Sequence, residues 1–256
     1  MTLEQECRLR DPRRLGHSQH VRVATLVLLL LNLAGRASAG TQLAPVVKAG
    51  PAGCHEIALT FDLCPVREGT GWDRALITML EQRRVPATFF ASGRWIERHD
   101  AEVRELLAHR PLFELGTHGM RHRHLPSLDV AGQRDEIMGP VNLLDTDYGY
   151  HPTLVRAPYG EFDDRTRAII ADRGLELVQW SVVSGDPDPH LGTDDILRTM
   201  RAGVRDGSVV IFHANGKGAH TRQVVETVVQ DLLPARGLKP VTVSQLVEGC
   251  RHDGGG

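Results

Sequence analysis

Glu56-Ile57-Ala58-Leu59-Thr60-Phe61-Asp62 reads as a strand that ends on an acid. Its apolar residues fall on consecutive positions, not alternate ones. A strand of that kind is covered on both faces, as in a parallel sheet flanked by helices. Further strands are read in Ala87–Ala91, Leu112–Leu115, Thr153–Arg156, Leu175–Val182, Ser208–Phe212 and Lys239–Val243, and several of them are likewise uniformly apolar. Helical stretches separate these seven strands. Trp72–Arg84 carries Ala75, Leu76, Met79 and Leu80 on one face, the spacing of an amphipathic helix. Ala101–His109, Asp129–Leu144 and Asp194–Val204 follow, then Thr221–Leu233 and a closing helix from Ser244. Ser127 is the expected cap of the Asp129 helix. Asp163 caps a further helix, and Gly174 stops it. Strand and helix alternate along one chain, which predicts a single α/β domain with a barrel-like parallel sheet.

In such folds the chemistry gathers at the C-terminal ends of the strands. Asp62, His118, His122, Arg156 and His213 all fall there. His118-x-x-x-His122 spans about one helical turn, so the two imidazoles are expected to face one metal ion. An amide would be hydrolysed at such a place if three needs were met: a polarised carbonyl, an activated water and a proton for the amine. A metal ion supplies the first two. An imidazole supplies the third. Arg156 beside Asp62 would keep that carboxylate ionised.

The first 39 residues read as a signal peptide. Arg8, Arg10, Arg13, Arg14 and Arg22 make the start basic, Ala24–Leu33 is apolar, and Ala37-Ser38-Ala39 has the form of a cleavage site. The apolar run falls short of the roughly 20 residues a membrane span needs. An uncleaved anchor is the alternative. The expected organisation is a signal peptide over 1–39, an N-terminal strap over 40–55 and the catalytic domain over 56–250. The mature chain is expected to be exported, periplasmic or extracellular, without stable membrane insertion. Cys54 stands before the first strand and Cys250 at the end of the last helix. In a closed barrel these ends are neighbours, and an oxidising compartment admits a disulfide between them. A net charge of −2 argues for no nucleic-acid partner, and three Trp with three Tyr leave no extended aromatic sugar platform.

Five motifs in order give the chain its resemblance to a known family. They are Thr60-Phe61-Asp62, His118-x-x-x-His122, Arg156-Ala157-Pro158-Tyr159-Gly160, Trp180 through Asp186, and Ile211-Phe212-His213. Together they resemble the polysaccharide deacetylases of the NodB-homology type, carbohydrate esterase family 4, over nearly all of Ile57 to Val247. The resemblance implies a distorted (β/α)7-8 barrel and metal-dependent removal of N-acetyl groups from a glycan. It implies His118 and His122 as metal ligands, Asp62 as general base and His213 as general acid. Arg156 would orient Asp62. The Tyr159 backbone N–H would help bind the oxyanion, and Trp180 would wall the substrate groove.

Two positions depart from the family. The pattern begins Thr-Phe-Asp-Asp, and its second Asp is a metal ligand; here Leu63 stands there, followed by Cys64-Pro65. The Asp that orients the catalytic His is replaced by Val183, with Asp186 or Asp188 as candidate substitutes. Three arrangements stay open for the metal: Asp62 as third ligand, a Cys64 thiolate as third ligand, or no metal. Asp62 is the expected one, and the metal a divalent ion, zinc first. A polar, Gly-rich run from His213 to Thr221 offers Asn215 and His220 to substrate or metal. Beside the deacetylase stand two alternatives: a catalytically impaired glycan-binding module, and a metal-dependent amidase for a small non-sugar amide.

Overall fold

The computed structural model describes residues 42–250; the expected signal peptide lies outside the described residues. Nine strands build the sheet: β1 (Val46–Val47), β2 (Glu56–Leu63), β3 (Ala87–Ala91), β4 (Phe113–Thr117), β5 (Leu154–Val155), β6 (Glu176–Val178), β7 (Val182–Val183), β8 (Val209–His213) and β9 (Lys239–Val241). Their order is β1-β6-β5-β4-β3-β2-β8-β7, with β9 also on β2. Every ladder is parallel. Helices α1 (Arg74–Gln82), α2 (Gly93–Ile96), α3 (Asp100–Ala108), α4 (Val130–Tyr148), α5 (Asp164–Asp172), α6 (Thr193–Gly203), α7 (Thr221–Thr227) and α8 (Val243–Glu248) lie between and after the strands.

β2 is the hub. All eight of its residues are buried, as its unbroken apolar run requires. Successive side chains still point to opposite faces. Ile57, Leu59, Phe61 and Leu63 join the large core that the helices cover. Ala58 belongs to a separate cluster with Phe90, Leu154, Val178 and Val209. Phe61 stacks on Phe89 and Phe212, with centroids 5.4 and 5.8 Å apart, tying β3, β2 and β8 on the helix side. The other side carries Ala58, Thr60 and Asp62 in sequence, and its last member reaches the C-terminal edge. Register then sets the neighbours: Asp62 is opposite His213 on β8 and Phe90 on β3.

The expected strand Leu175–Val182 is two strands. β6 pairs with β5 and β1 at one edge of the sheet, and β7 pairs with β8 at the other. Only Gln179, Trp180 and Ser181 separate them. The Gln179 N–H goes to the Val47 carbonyl and the Ser181 N–H to the Val209 carbonyl. The chain itself therefore crosses between the sheet edges, which makes the barrel distorted. The strap also contributes a strand, since β1 lies on β6. α4 is capped by Asp129, whose side chain accepts from the Gly132 N–H, and not by Ser127, whose hydroxyl donates to the His124 carbonyl. Cys54 and Cys250 form a disulfide.

Candidate active site

The polar groups at the strand ends surround one cleft of about 350 Å³. Asp62 is 3% exposed and Arg156 is fully buried. Arg156 Nη1 donates to Asp62 Oδ1 at 2.8 Å, and Nη2 donates to the inward-turned Gln179 carbonyl at 3.3 Å. The guanidinium lies 4.0 Å over the Phe90 ring. Burial works to raise the Asp62 pKa. The charges of His118, Arg156 and His213 outweigh it and hold the carboxyl below its ordinary value. Asp62 is thus an anion with one oxygen committed to Arg156. The other oxygen is 3.4 Å from His118 Nε2.

His118 and His122 converge, though not on a helix. The residues after β4 form a turn with Gly119 at φ +70° and His122 at φ +60°. That turn brings the two rings to a centroid distance of 4.8 Å. It is held from below by Glu136 on α4, which is 1% exposed. Its Oε2 accepts from the Arg121 N–H at 2.9 Å and the Arg123 N–H at 3.4 Å. His118 Nδ1 donates to the Arg156 carbonyl at 3.0 Å. That bond fixes the tautomer and leaves Nε2 as the ligand atom, the usual support of a metal-binding imidazole.

The third donor beside them is Cys64. Among the described residues, the ligand atoms of Cys64, His118 and His122 all lie within 4.8 Å of one another. A tetrahedral zinc site needs donor separations of roughly 3.3–3.6 Å, so a modest closure completes the set. Burial raises the thiol pKa, but hydrogen bonds from His118, His122 and His213 hold it well below the ordinary value. Leu63 is fully buried in the helix-side core. Asp62 and Cys64, two residues apart, share the cleft side instead. Cys64 is braced by Asn215, whose amide donates to the Cys64 carbonyl at 3.1 Å. His220 lies elsewhere, 3.2 Å from the Thr193 hydroxyl.

His213 faces Asp62 from β8. Its Nδ1 donates to Asp186 Oδ1 at 3.0 Å, and its backbone N–H donates to Asp186 Oδ2 at 2.8 Å. Asp186 is itself fixed by hydroxyl donors from Ser184 at 2.9 Å and Thr221 at 2.7 Å. Burial lowers the His213 pKa, but Asp186, with Cys64 and Asp62 behind it, raises it to about 10. Of the two candidate replacements for the missing acid, Asp186 makes the contact; Asp188 is exposed and accepts from the His190 N–H. Val183 is half-exposed and walls the cleft.

Tyr159 and Trp180 also line the cleft. The Tyr159 ring lies parallel to His124 at 4.0 Å and edge-on to His122 at 4.5 Å. Tyr159 and Gly160 both have φ near +60 to +72°, and a Cβ on Gly160 would fall 2.8 Å from the Trp180 ring. The tight turn therefore needs glycine there to keep Tyr159 and Trp180 at the cleft. Asp186 and Asn215 are among the residues the sequence offers, and Glu136 is the position beside the site that it does not single out. Its sequence signal is an acid next to Ile137, on the face that α4 buries.

Residues 49–178 match the family model described as polysaccharide deacetylase. A peptidoglycan-N-acetylglucosamine deacetylase from Bacillus cereus is 27% identical over 205 residues, covering 79% of this chain and 72% of that protein. A chitooligosaccharide deacetylase from Bradyrhizobium is 29% identical over 182 residues, 70% of this chain and 80% of that protein. Among solved structures, a CE4 family pseudoenzyme from Bacillus anthracis superposes with a TM-score of 0.71 at 20% identity, covering 80% of this chain and 70% of its own. That last likeness is one of fold.

Proposed function

The chain belongs to the polysaccharide deacetylase family, hydrolases of N-acetyl amide bonds in glycans, and from that premise we propose how its own residues carry the reaction. The observation that carries the reading is the pairing of Asp62 with Arg156 opposite His213 with Asp186, on adjacent strands of one cleft. Asp62 is the general base. Its Oδ2 takes a proton from the water that attacks the acetyl carbon, while Arg156 keeps Oδ1 occupied and the group charged. His213 is the general acid. Its Nδ1 proton is held by Asp186, so Nε2 delivers the proton that lets the sugar amine leave as the C–N bond breaks. Acetate and a free amine result. The Tyr159 N–H assists the carbonyl oxygen as it becomes an anion.

A divalent ion would be held by Cys64, His118 and His122, in place of the expected set with Asp62. Two nitrogens and a thiolate suit zinc. When bound, such an ion polarises the acetyl carbonyl and acidifies the attacking water. The bond of Asp62 Oδ1 to Arg156 supports the base role. The disulfide and the kinds of substrate named for the relatives support work outside the cytoplasm. No helix among the described residues is long and apolar enough to cross a membrane.

Elemental analysis beside acetate release tests the assignment. Cys64→Ser is expected to lose bound zinc. Asp62→Asn is expected to keep zinc while turnover falls by about 10²–10⁴-fold. In the cobalt-substituted protein, the near-ultraviolet thiolate-to-metal band should vanish in Cys64→Ser. Metal lost from Asp62→Asn and kept in Cys64→Ser would reverse the two roles. Intact Asp62 and His213 pairs support an enzyme over a binding module, and acetate release from chitohexaose would exclude the module outright.

A further inference from the structure

A second groove, of about 550 Å³, opens directly from the cleft and shares Cys64, His122, Tyr159 and Lys217 with it. Its remaining polar lining is Arg67, Arg94, Arg98 and Arg121. No carboxylate lines it. All four arginines and Lys217 are exposed, and among the described residues none of these side chains has a hydrogen-bonded or ion-paired acid. The chain as a whole is slightly acidic, with a net charge of −2, so five cations in one groove are a local feature. The arrangement works against folding. Arg94 and Arg98 are four residues apart on and just after α2, where like charges repel. Several arginines elsewhere on the surface are matched with acids, as in Arg83 with Glu226 and Arg104 with Asp100.

A neutral sugar chain gains no charge pairing from such a lining. It is held by aromatic faces and neutral hydrogen-bonding groups, and the groove has one aromatic side chain, Tyr159, at its shared rim. Guanidinium groups are the natural partners of carboxylates, which they bind through paired N–H donors. The cations come from four places in the chain: Arg67 after β2, Arg94 and Arg98 on and just after α2, Arg121 in the histidine turn and Lys217 after β8. The groove continues from the cleft that would take the N-acetyl group, so an anion held there would belong to the same substrate as that group. We propose that the substrate is an acidic N-acetylated glycan, whose N-acetyl group enters the cleft while carboxylates on neighbouring sugars lie along Arg67, Arg94, Arg98 and Arg121. The assignment rests on the deacetylase reading, because the groove shares Cys64, His122, Tyr159 and Lys217 with the cleft where the N-acetyl group would sit.

Binding decides it, measured by calorimetry with two oligomers of equal length. Hyaluronan hexasaccharide alternates N-acetylglucosamine with a carboxylate sugar; chitohexaose is uncharged. The wild-type chain should bind the acidic hexasaccharide at least about tenfold more tightly at low ionic strength. The advantage should fall toward unity at about 0.5 M salt, where exposed charges are screened. Arg94→Glu/Arg98→Glu should abolish it, with an unchanged circular dichroism spectrum as the control for folding. Arg67→Glu/Arg121→Glu, on two different loops, provides the same test should the first variant fail to fold. Equal affinities for the two oligomers, or an acidic preference that survives both charge reversals, would overturn the proposal. Acetate release is scored separately. A chain that prefers the acidic oligomer but deacetylates neither keeps the groove and refutes the premise; one that deacetylates both with equal affinity keeps the premise and refutes the groove.

Discussion

At the scale of single residues, the site depends on two charge pairs buried for opposite ends. Arg156 keeps Asp62 without a proton; Asp186 keeps one on His213. The second pair gives a testable sign. His213 has a folded-state pKa of about 10, above the usual 6.5, so the proton it donates is present at neutral pH and lost as pH rises through about 10. Asp186→Asn removes the charge that opposes burial. The alkaline limb of the kcat profile should then move down toward the ordinary histidine range, while the acid limb, set by Asp62 below its usual value, stays in place. A limb that does not move would show that Asp186 only packs against the loop. Arg156→Met has the opposite target. It leaves a buried carboxylate unpaired, a loss on the order of 3–5 kcal/mol in denaturant melts. The acid limb should move up as Asp62 gains a proton more readily. Asp62, His118, His122, Arg156 and His213 were legible because each follows an apolar strand. Asp186 was legible only as one of two candidates beside Asp188, because the chain leaves β7 and turns back through Ser184 and Gly185 before its acid meets His213. Which side of the chain Cys64 faces was within reach, since strand alternation sets Asp62 and Cys64 together and Leu63 apart.

At the scale of elements, caps and turns aim the groups that the strands carry. α5 is a clear case. The Asp163 carboxylate accepts from the Thr166 N–H at 2.9 Å, and the Thr166 hydroxyl oxygen accepts from the Asp163 N–H at 3.2 Å. Thr166 also donates to Gln133 on α4, so this cap joins the two helices beside the histidine turn. Burial raises the Asp163 pKa, but the Thr166 N–H, Arg165, the Thr166 hydroxyl and Gln133 together outweigh it and bring it to about 2. Asp163→Ala should cost about 1 kcal/mol in urea melts at neutral pH. A depressed carboxyl pKa stabilises the fold above the unfolded value and loses that contribution as pH falls through the folded one. The gap between wild type and variant should therefore be flat above about pH 5 and close between the usual 3.8 and about 2. A gap that persists at the acid end would mean Asp163 acts by packing alone. The buried strands were readable from unbroken apolar runs, and this cap from an acid ahead of a helical pattern. The division of Leu175–Val182 was not readable. It is imposed by the Val47 and Val209 carbonyls, which come from segments far off in sequence. The histidine turn escaped for a similar reason: a four-residue spacing suits a helix or a turn, and Glu136 selects the turn.

Over the whole molecule, the barrel separates stability from chemistry. The Cys54–Cys250 disulfide lies before β2 and after α8, whereas the cleft lies at the far end of β2. The eight residues of β2 set the two roughly 25 Å apart. The bridge closes a loop with a sequence separation of 196. Such a loop restricts the unfolded chain strongly, worth about 5 kcal/mol in the chain-entropy treatment and typically 2–4 kcal/mol when measured. Nothing in the cleft touches either sulfur. Cys54→Ala/Cys250→Ala should therefore lower the urea midpoint by an amount equivalent to about 2–5 kcal/mol. Zinc content and acetate release should remain at wild-type values in buffer without denaturant. Loss of metal from the folded double variant would show that the closing helix holds β2 in the register that brings Asp62 opposite His213, and that the two ends of the barrel are mechanically coupled. Retention would mean the cleft is set by the β3-β2-β8 ladders and the Phe89–Phe61–Phe212 stack alone. The second outcome is expected, because that stack lies between the bridge and the cleft and is complete without the disulfide.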